Sequence, residues 1–380
     1  MKKRLLILNG QYLPGYKGGG PIQSCVNMVE NLADQFDFYV LTGDRDFKAN
    51  EPYKNIRVNE WNKIGSAKVF YMSPDMQTLS GFKKVMNEID YDMLYLNGFY
   101  SPVFTIKPLL LRKFGKLKQR TTFLTPRGDF TGGSENKKIK KYTYIYLSKL
   151  MGLYSKVIWH ATSNLEAKDI QKKFKSSDIF MVPNLPTRYI PKRTNLHKDS
   201  GTLRLVFVSR IFPKKNLKFA LEVLKKVPIG NIIFDIYGPM EDETYWNKCK
   251  KVIKGLPENI TVSYKGEVPH SEIAHVFEQY HAFFFPTLGE NYGHVIIESM
   301  MNNCIALISK GVTPWDDYGG NGGFVEDISD TFAFVDVLEK LVKLNNDEYQ
   351  KLVKMNRNYI EEKMNSKNDC QQYILQFNKQ

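Results

Sequence analysis

The stretch Phe283-Phe284-Phe285-Pro286-Thr287-Leu288-Gly289-Glu290-Asn291-Tyr292-Gly293-His294-Val295-Ile296-Ile297-Glu298 reads as a buried strand, a glycine-containing loop and the start of a helix. Three consecutive phenylalanines suit a strand covered on both faces, as in a parallel sheet. Gly293 at the helix start lets a ligand approach the backbone, and amide groups of Tyr292, Gly293 and His294 at a helix N-terminus favour an anion. Glu290 and Glu298 stand eight residues apart. On one continuous helix they would lie roughly 12 Å apart, too far to share a proton or a metal ion. The spacing suits a ligand with two polar ends and a diphosphate between them. It equally suits a loop acid and a surface acid beside a helix N-terminus, where acids are favoured.

The same grammar extends in both directions. Leu5–Leu8, Phe38–Thr42, Met93–Leu96, Thr122–Leu124, Val157–Ala161 and Ile179–Val182 are short apolar runs followed by helical patterns. A second series begins at Arg204–Val208 and continues with Ile232–Tyr237, Ile260–Tyr264, Ala282–Pro286 and Ile305–Ile308. This alternation predicts two doubly wound α/β domains. Val182-Pro183-Asn184-Leu185-Pro186-Thr187 and the polar stretch after it, 192–202, form the linker, so domains of about 1–190 and 200–359 are expected. Such domains, facing across a cleft, bind ligands at their strand C-termini. Helical patterning dominates from Thr331 onward, and a C-terminal helix over about 360–380 is expected to pack back on the first domain.

Strand Leu205–Val208 leads into Ser209-Arg210-Ile211-Phe212-Pro213-Lys214-Lys215-Asn216, and a helical pattern follows. Arg210 and Lys215 bracket a strand-to-helix turn, where two cations can hold a diphosphate and offset charge on a departing nucleotide. Together these two segments resemble the retaining glycosyltransferases of family 4, which have the two-domain GT-B fold. Glu290 to Glu298 matches that family's E-x7-E spacing, and Arg210 with Lys215 matches its diphosphate turn. The order of elements agrees over nearly the whole chain, including Ala161-Thr162-Ser163 before a helix and Val182-Pro183-Asn184 at the linker.

The resemblance implies roles. Glu298 would hold the ribose hydroxyls of a nucleotide-diphosphate sugar and Glu290 would face the sugar. Asn291, Tyr292, Gly293 and His294 would line sugar and phosphate, while Arg210 and Lys215 would stabilise the leaving diphosphate. Gly238 would let backbone approach the nucleotide. Gly19 and Gly20 would open the first helix beside the phosphates, with Pro21 in its first turn. Many relatives carry a histidine where this chain has Asn97, which can hydrogen-bond a sugar but cannot carry a proton near neutral pH. Thr125-Pro126-Arg127-Gly128-Asp129 resembles a loop of capsule and O-antigen members, so Arg127 joins Asn97 as an acceptor or sugar contact.

Other classes are weaker. Asp44-Arg45-Asp46 is a D-x-D, which binds a divalent metal in another glycosyltransferase class, but a second α/β domain is foreign to that class. The glycines at 18–23 read G-G-G-P-I-Q, without the dinucleotide fingerprint of a nicotinamide enzyme. His270, His275 and His281 lack metal-ligand spacing, and the four cysteines form no C-x-x-C pair, so neither a metal nor a cofactor is expected. A GT-B nucleotide-sugar epimerase is the enzymatic alternative.

The formal charge is +14, concentrated in three runs: 112–120, Lys137-Lys138-Ile139-Lys140-Lys141, and Lys172-Lys173-Phe174-Lys175. They suit an anionic membrane surface or simply a solvated face. A nucleic-acid-binding protein is the alternative of another class, but the runs lack aromatic interleaving, and no nucleic-acid partner is expected. The first apolar stretch stops after Leu8, short of the roughly 7–15 residues of a signal peptide. The expected setting is therefore cytoplasmic, peripheral on the inner membrane face. The expected acceptor is a glycan or a polyprenyl-diphosphate-linked glycan.

Overall fold

The computed structural model describes residues 2–130, 135–175, 178–188 and 195–379, without the side chains of 135–141. The chain divides into two compact units, Met1–Arg188 with Ser366–Gln380, and Tyr189–Asn365.

Among the described residues the first unit holds eight strands: β1 Lys3–Leu8, β2 Phe36–Gly43, β3 Trp61–Ile64, β4 Ala67–Met72, β5 Met93–Asn97, β6 Thr121–Thr125, β7 Val157–Ala161 and β8 Ile179–Met181. Their order is β3-β4-β2-β1-β5-β6-β7-β8. All neighbours are parallel except β3 and β4. Helices cover both faces, so β1 is apolar along Leu5–Leu8 and every one of those side chains is buried. Alternation divides them: Leu6, Leu8, Leu94 and Leu96 join one core, and Leu5, Ile7, Met93 and Tyr95 the other.

The final helix, Lys367–Asn378, packs on this second core through fully buried Tyr373 and Phe377. The Phe377 ring meets Phe123 at 5.0 Å and Phe36 at 5.5 Å, edge on. Burying that ring contributes about 3 kcal/mol, enough to return the chain end to the unit it began in.

The second unit holds β9 Thr202–Val208, β10 Asn231–Tyr237, β11 Ile260–Gly266, β12 Ala282–Phe285, β13 Ile305–Ser309 and β14 Phe324–Glu326. This sheet is wholly parallel, in the order β11-β10-β9-β12-β13-β14. One continuous core fills the unit, with Phe283, Phe284 and Phe285 at its centre.

The apolar runs of the sequence are β1, β2 and β5 to β13, with β8 and β11 at sheet edges. The β3–β4 hairpin and β14 are additional. β4 is apolar enough to read as a strand, but β3 is a four-residue polar edge and β14 has only three residues, too short for a period to show.

Candidate active site

In each sheet one strand has neighbours from both directions of winding, and loops diverge at its C-terminal end. Doubly wound folds bind ligands at that point. In the second unit the strand is β9, flanked by β10 and β12. The loop after β9 carries Arg210 and Lys215, and the loop after β12 carries Glu290.

The two loops are laced together. Asn216 has a left-handed φ of 61°, and its side-chain amide donates to the Pro286 carbonyl at 3.0 Å. The Leu288 N–H donates to the Lys214 carbonyl at 2.9 Å. Across this seam the Lys215 ammonium donates to Glu290 Oε1, which also accepts from the Thr287 hydroxyl at 3.1 Å. The pair is mostly buried, with side chains 13% and 15% exposed. Lys215 Nζ also sits 5.6 Å from the centroid of the Phe285 ring.

Arg210 is held on its other flank. The loops after β9 and β10 continue the pairing of their strands, since the Ile211 N–H reaches the Pro239 carbonyl at 2.9 Å. Opposite one another on these loops, Arg210 Nη1 donates to Glu241 Oε2 at 2.9 Å. Gly238 permits the approach. Its φ is 133°, and a Cβ there would meet the Ser209 carbonyl oxygen at 2.0 Å. The demand for glycine at 238 therefore arises within the protein, from the backbone of the adjacent loop.

Glu290 and Glu298 do not share one helix. The helix runs His294–Met301, and Gly293 caps it in the left-handed conformation at φ 75°. Glu290 stays in the loop, while Glu298 sits in the second turn. There it accepts from a different partner, His270 Nε2, at 2.9 Å. Burial opposes a charge on His270, yet the hydrogen bond and charge of Glu298 outweigh it and hold the imidazole pKa above its ordinary value. Between the two acids, the Tyr292 ring packs edge-on to His294 at 4.8 Å and against Trp315 at 5.5 Å. Asn291 is partly exposed on the same loop. The site thus presents a cation pair in one turn, a carboxylate beside it, and a second carboxylate further along the helix.

In the first unit the corresponding strand is β1, between β2 and β5. Asn97, the last residue of β5, donates to Asn9 Oδ1 at 3.1 Å and to the Pro21 carbonyl at 3.2 Å. Arg127 Nε donates to Asn97 Oδ1 at 2.6 Å. Its guanidinium also reaches Asn184 Oδ1, and Tyr95 Oη at 3.4 Å. Arg127 takes a left-handed φ of 56°, unusual for a side chain of this size. β5 and the segments after β6 and β8 thus meet at one guanidinium, and Asn97 links it to the segment after β1. Gly19 has φ 67° with open space where a Cβ would stand, and Gly20 begins the helix Gly20–Leu32, with Pro21 in its first turn. The bond from Asn97 to Pro21 sets this helix start beside the Arg127 network.

The D-x-D carboxylates are both occupied by groups of the protein. Asp44 is buried and binds Arg45 through Oδ1 at 2.8 Å. Asp46 accepts from the N–H groups of Tyr16 at 3.0 Å and Phe47 at 2.8 Å. Among the described residues, no group of three or more His, Cys, Asp or Glu side chains is placed to hold a metal ion.

Residues 191–361 match the family model described as "Glycosyl transferases group 1". The matched span lies within the second unit. Among curated proteins, the chain is 25% identical over 134 residues to O-antigen chain mannosyltransferase B of Escherichia coli, a match spanning 34% of each. It is 21% identical over 266 residues to an uncharacterized 41.2 kDa protein in the cps region of Klebsiella pneumoniae, covering 67% of this chain and 71% of that one. Among solved structures, Anabaena HepE in complex with UDP and glucose superposes with a TM-score of 0.71 at 13% identity, covering 100% of both chains. The fold is GT-B, with two parallel-sheet α/β domains.

The second unit also contains residues at the candidate site that the sequence did not single out for these contacts. Glu241 and His270 hold Arg210 and Glu298, and neither neighbours its partner in sequence. Glu241 follows Gly238 by three residues, and the parallel pairing of β9 with β10 is the one signal that brings it to Arg210. In the first unit, Asn9, Tyr95 and Asn184 stand in the same relation to Asn97 and Arg127.

Proposed function

We propose that this chain is a retaining, metal-independent glycosyltransferase that moves a sugar from a nucleotide-diphosphate sugar to a glycan or lipid-linked glycan. Capsule, O-antigen or other surface polysaccharide synthesis is its setting. The observation that carries the reading is the Lys215–Glu290 pair at the winding switch of the second unit. A cation beside a carboxylate supports a diphosphate and a sugar hydroxyl as neighbouring ligands.

In this mechanism Arg210 and Lys215 take the diphosphate, and Glu298 accepts hydrogen bonds from the ribose hydroxyls. Glu290 binds a hydroxyl of the transferred sugar, and Asn291, Tyr292, Gly293 and His294 line the same donor. Of the first unit, Gly19 and Gly20 are assigned to the donor, and Asn97 and Arg127 to the acceptor. The acceptor oxygen attacks the anomeric carbon from the side the diphosphate leaves. The bond to the diphosphate breaks, a glycosidic bond forms, and the departing diphosphate takes the acceptor proton. Arg210 and Lys215 offset its negative charge throughout. The acceptor is presented at the anionic inner face of the cell membrane.

A thermal-shift screen of nucleotide-sugars identifies the donor by the rise in melting temperature that binding to the native state produces. Product analysis by NMR then reads the anomeric configuration, with and without chelator. Retention that survives chelation supports the reading. Inversion, loss of activity on chelation, or sugar interconversion without acceptor overturns it.

A further inference from the structure

Helix Glu135–Leu150 shows solvent a face it would be expected to bury. Tyr142, Tyr146 and Leu150 recur at four-residue spacing, with Leu147 beside them and Met151 just beyond the helix, and all five are exposed. Tyr146 is 69% exposed and Leu150 76%. Ile145 and Ser148, on the opposite side, are the buried ones. An apolar stripe of this length on a single surface helix is the mark of an interaction site.

Cations ring the stripe, and they come from separate parts of the chain. Lys113 Nζ lies 3.9 Å from where a Cβ would stand on Gly152, next to Met151. Lys173 Nζ lies 5.5 Å from the Tyr142 ring centroid. Lys149, exposed on the helix itself, lies 5.3 Å from the Phe174 ring centroid. The first basic run therefore supplies Lys113 and the third supplies Lys173. The second run, Lys137–Lys141, occupies the opening turns of the same helix, and its side chains lie outside the described residues. By contrast Lys118 and Arg120 are paired with Asp90 and are not part of this ring. Residues 142–150 contain no acid.

We infer that this helix is the membrane-contacting surface of the protein, lying in the headgroup region of an anionic bilayer. Tyrosines with an apolar ring and a polar tip suit the membrane–water interface, and flanking lysines suit anionic lipid. Charge disfavours a second copy as the occupant, since pairing this face with itself would set Lys113, Lys149 and Lys173 against their counterparts. The inference gives the membrane part of the proposed function a location. It does not depend on the donor reading, because lipid binding is measured without nucleotide or sugar.

The test is co-sedimentation of the purified full chain with phosphatidylcholine vesicles, with and without phosphatidylglycerol. Binding should require the anionic lipid and weaken with salt. Y146S/L150S should lower the partition coefficient about tenfold or more, from lost apolar insertion. K113Q and K149Q should each lower it about fivefold. The melting temperature of Y146S/L150S should stay at the wild-type value, because both side chains are exposed. Equal binding to neutral and anionic vesicles, or none to either, overturns the inference. So does wild-type binding by Y146S/L150S. A dimer in solution that Y146S/L150S abolishes, without vesicle binding, would assign the face to self-association instead.

Discussion

The Lys215 ammonium is bound to the Glu290 carboxylate across 75 residues of chain, and both groups are mostly buried. The pair joins the loop after β9 to the loop after β12. Each partner neutralises the other. In the proposed reaction a diphosphate arriving at Lys215 would share that cation with Glu290, whose carboxylate the pair already fixes in place.

Lys215→Met is expected to reduce kcat by about 10²–10³, as other losses of transition-state charge stabilisation do. It should also destabilise the second unit by about 3 kcal/mol, since it leaves Glu290 charged and unpaired. The double variant K215M/E290M should regain much of that stability and none of the activity. Denaturant melts and single-turnover kinetics separate the two effects. A K215M protein as stable as wild type would show that the pair does not tie the loops.

Glu241 acts through Arg210. Half-exposed ion pairs of this kind contribute about 1 kcal/mol, so Glu241→Ala should lower kcat about fivefold by releasing the guanidinium. Glu241→Gln, which still accepts a hydrogen bond, should recover most of the loss. Arg210→Ala should cost far more, and adding E241A to it should cost nothing further. A full additional loss in R210A/E241A would mean that Glu241 has its own contact with substrate.

Glu298→Ala should weaken binding of the donor's nucleoside diphosphate and leave kcat for bound donor less affected. His270→Ala should give a milder form of the same defect, with His270→Gln restoring the bond to Glu298. Protonation enters here with a definite sign. The folded-state pKa of His270 is raised, so the charged pair with Glu298 is complete at acid pH and fades as pH rises through that value. Calorimetric titration of the nucleoside diphosphate across that range should show the wild type changing with pH and H270Q flat.

Arg127 gathers three neutral acceptors, and only the planar guanidinium fork spans them. Arg127→Lys should therefore behave almost as a deletion, with about 2 kcal/mol lost as buried acceptors go unpaired. In the proposed reaction it should raise the acceptor KM and leave the donor KM near wild type. A raised donor KM alone would move Arg127 to the nucleotide side.

Much of this arrangement was legible in the sequence, and the part that was not has a physical cause. Runs such as Leu205–Val208 and Phe283-Phe284-Phe285 announce parallel strands because both faces are buried. The turn Arg210–Lys215 and the spacing of Glu290 and Glu298 are local, and a reader of the chain can see them. Glu241 and His270 are different. They reach Arg210 and Glu298 from 31 and 28 residues away, through the order of strands in the sheet. No periodicity records that order. Gly238 shows the same limit from the other side. Its glycine could be seen, but not that the neighbour approaching it is the Ser209 backbone.

Acid should loosen both units for a shared reason. His160 is buried in β7, where its Nδ1 accepts from the Tyr95 hydroxyl at 2.6 Å and Nε2 donates to the Val182 carbonyl at 2.9 Å. His281 is buried in the second unit, accepting the Arg204 N–H at 3.0 Å and donating to the His197 carbonyl at 3.0 Å. Both rings are thus wired as neutral tautomers. Burial, reinforced by the Arg127 charge, pushes His160 down to about 3, and burial pushes His281 down to about 4. Each folded value lies below that of the unfolded chain, so the unfolded state binds the extra proton. The full stability is present above about pH 6.5 and falls as pH drops toward those values, by about 1.4 kcal/mol per unit for each ring. Between pH 7 and pH 5 each unit should lose about 2 kcal/mol from its histidine, measured by urea denaturation. His160→Gln and His281→Gln should each flatten the pH dependence of the unit that carries it. A wild-type melt that is unchanged at pH 5 would mean that neither ring is held neutral.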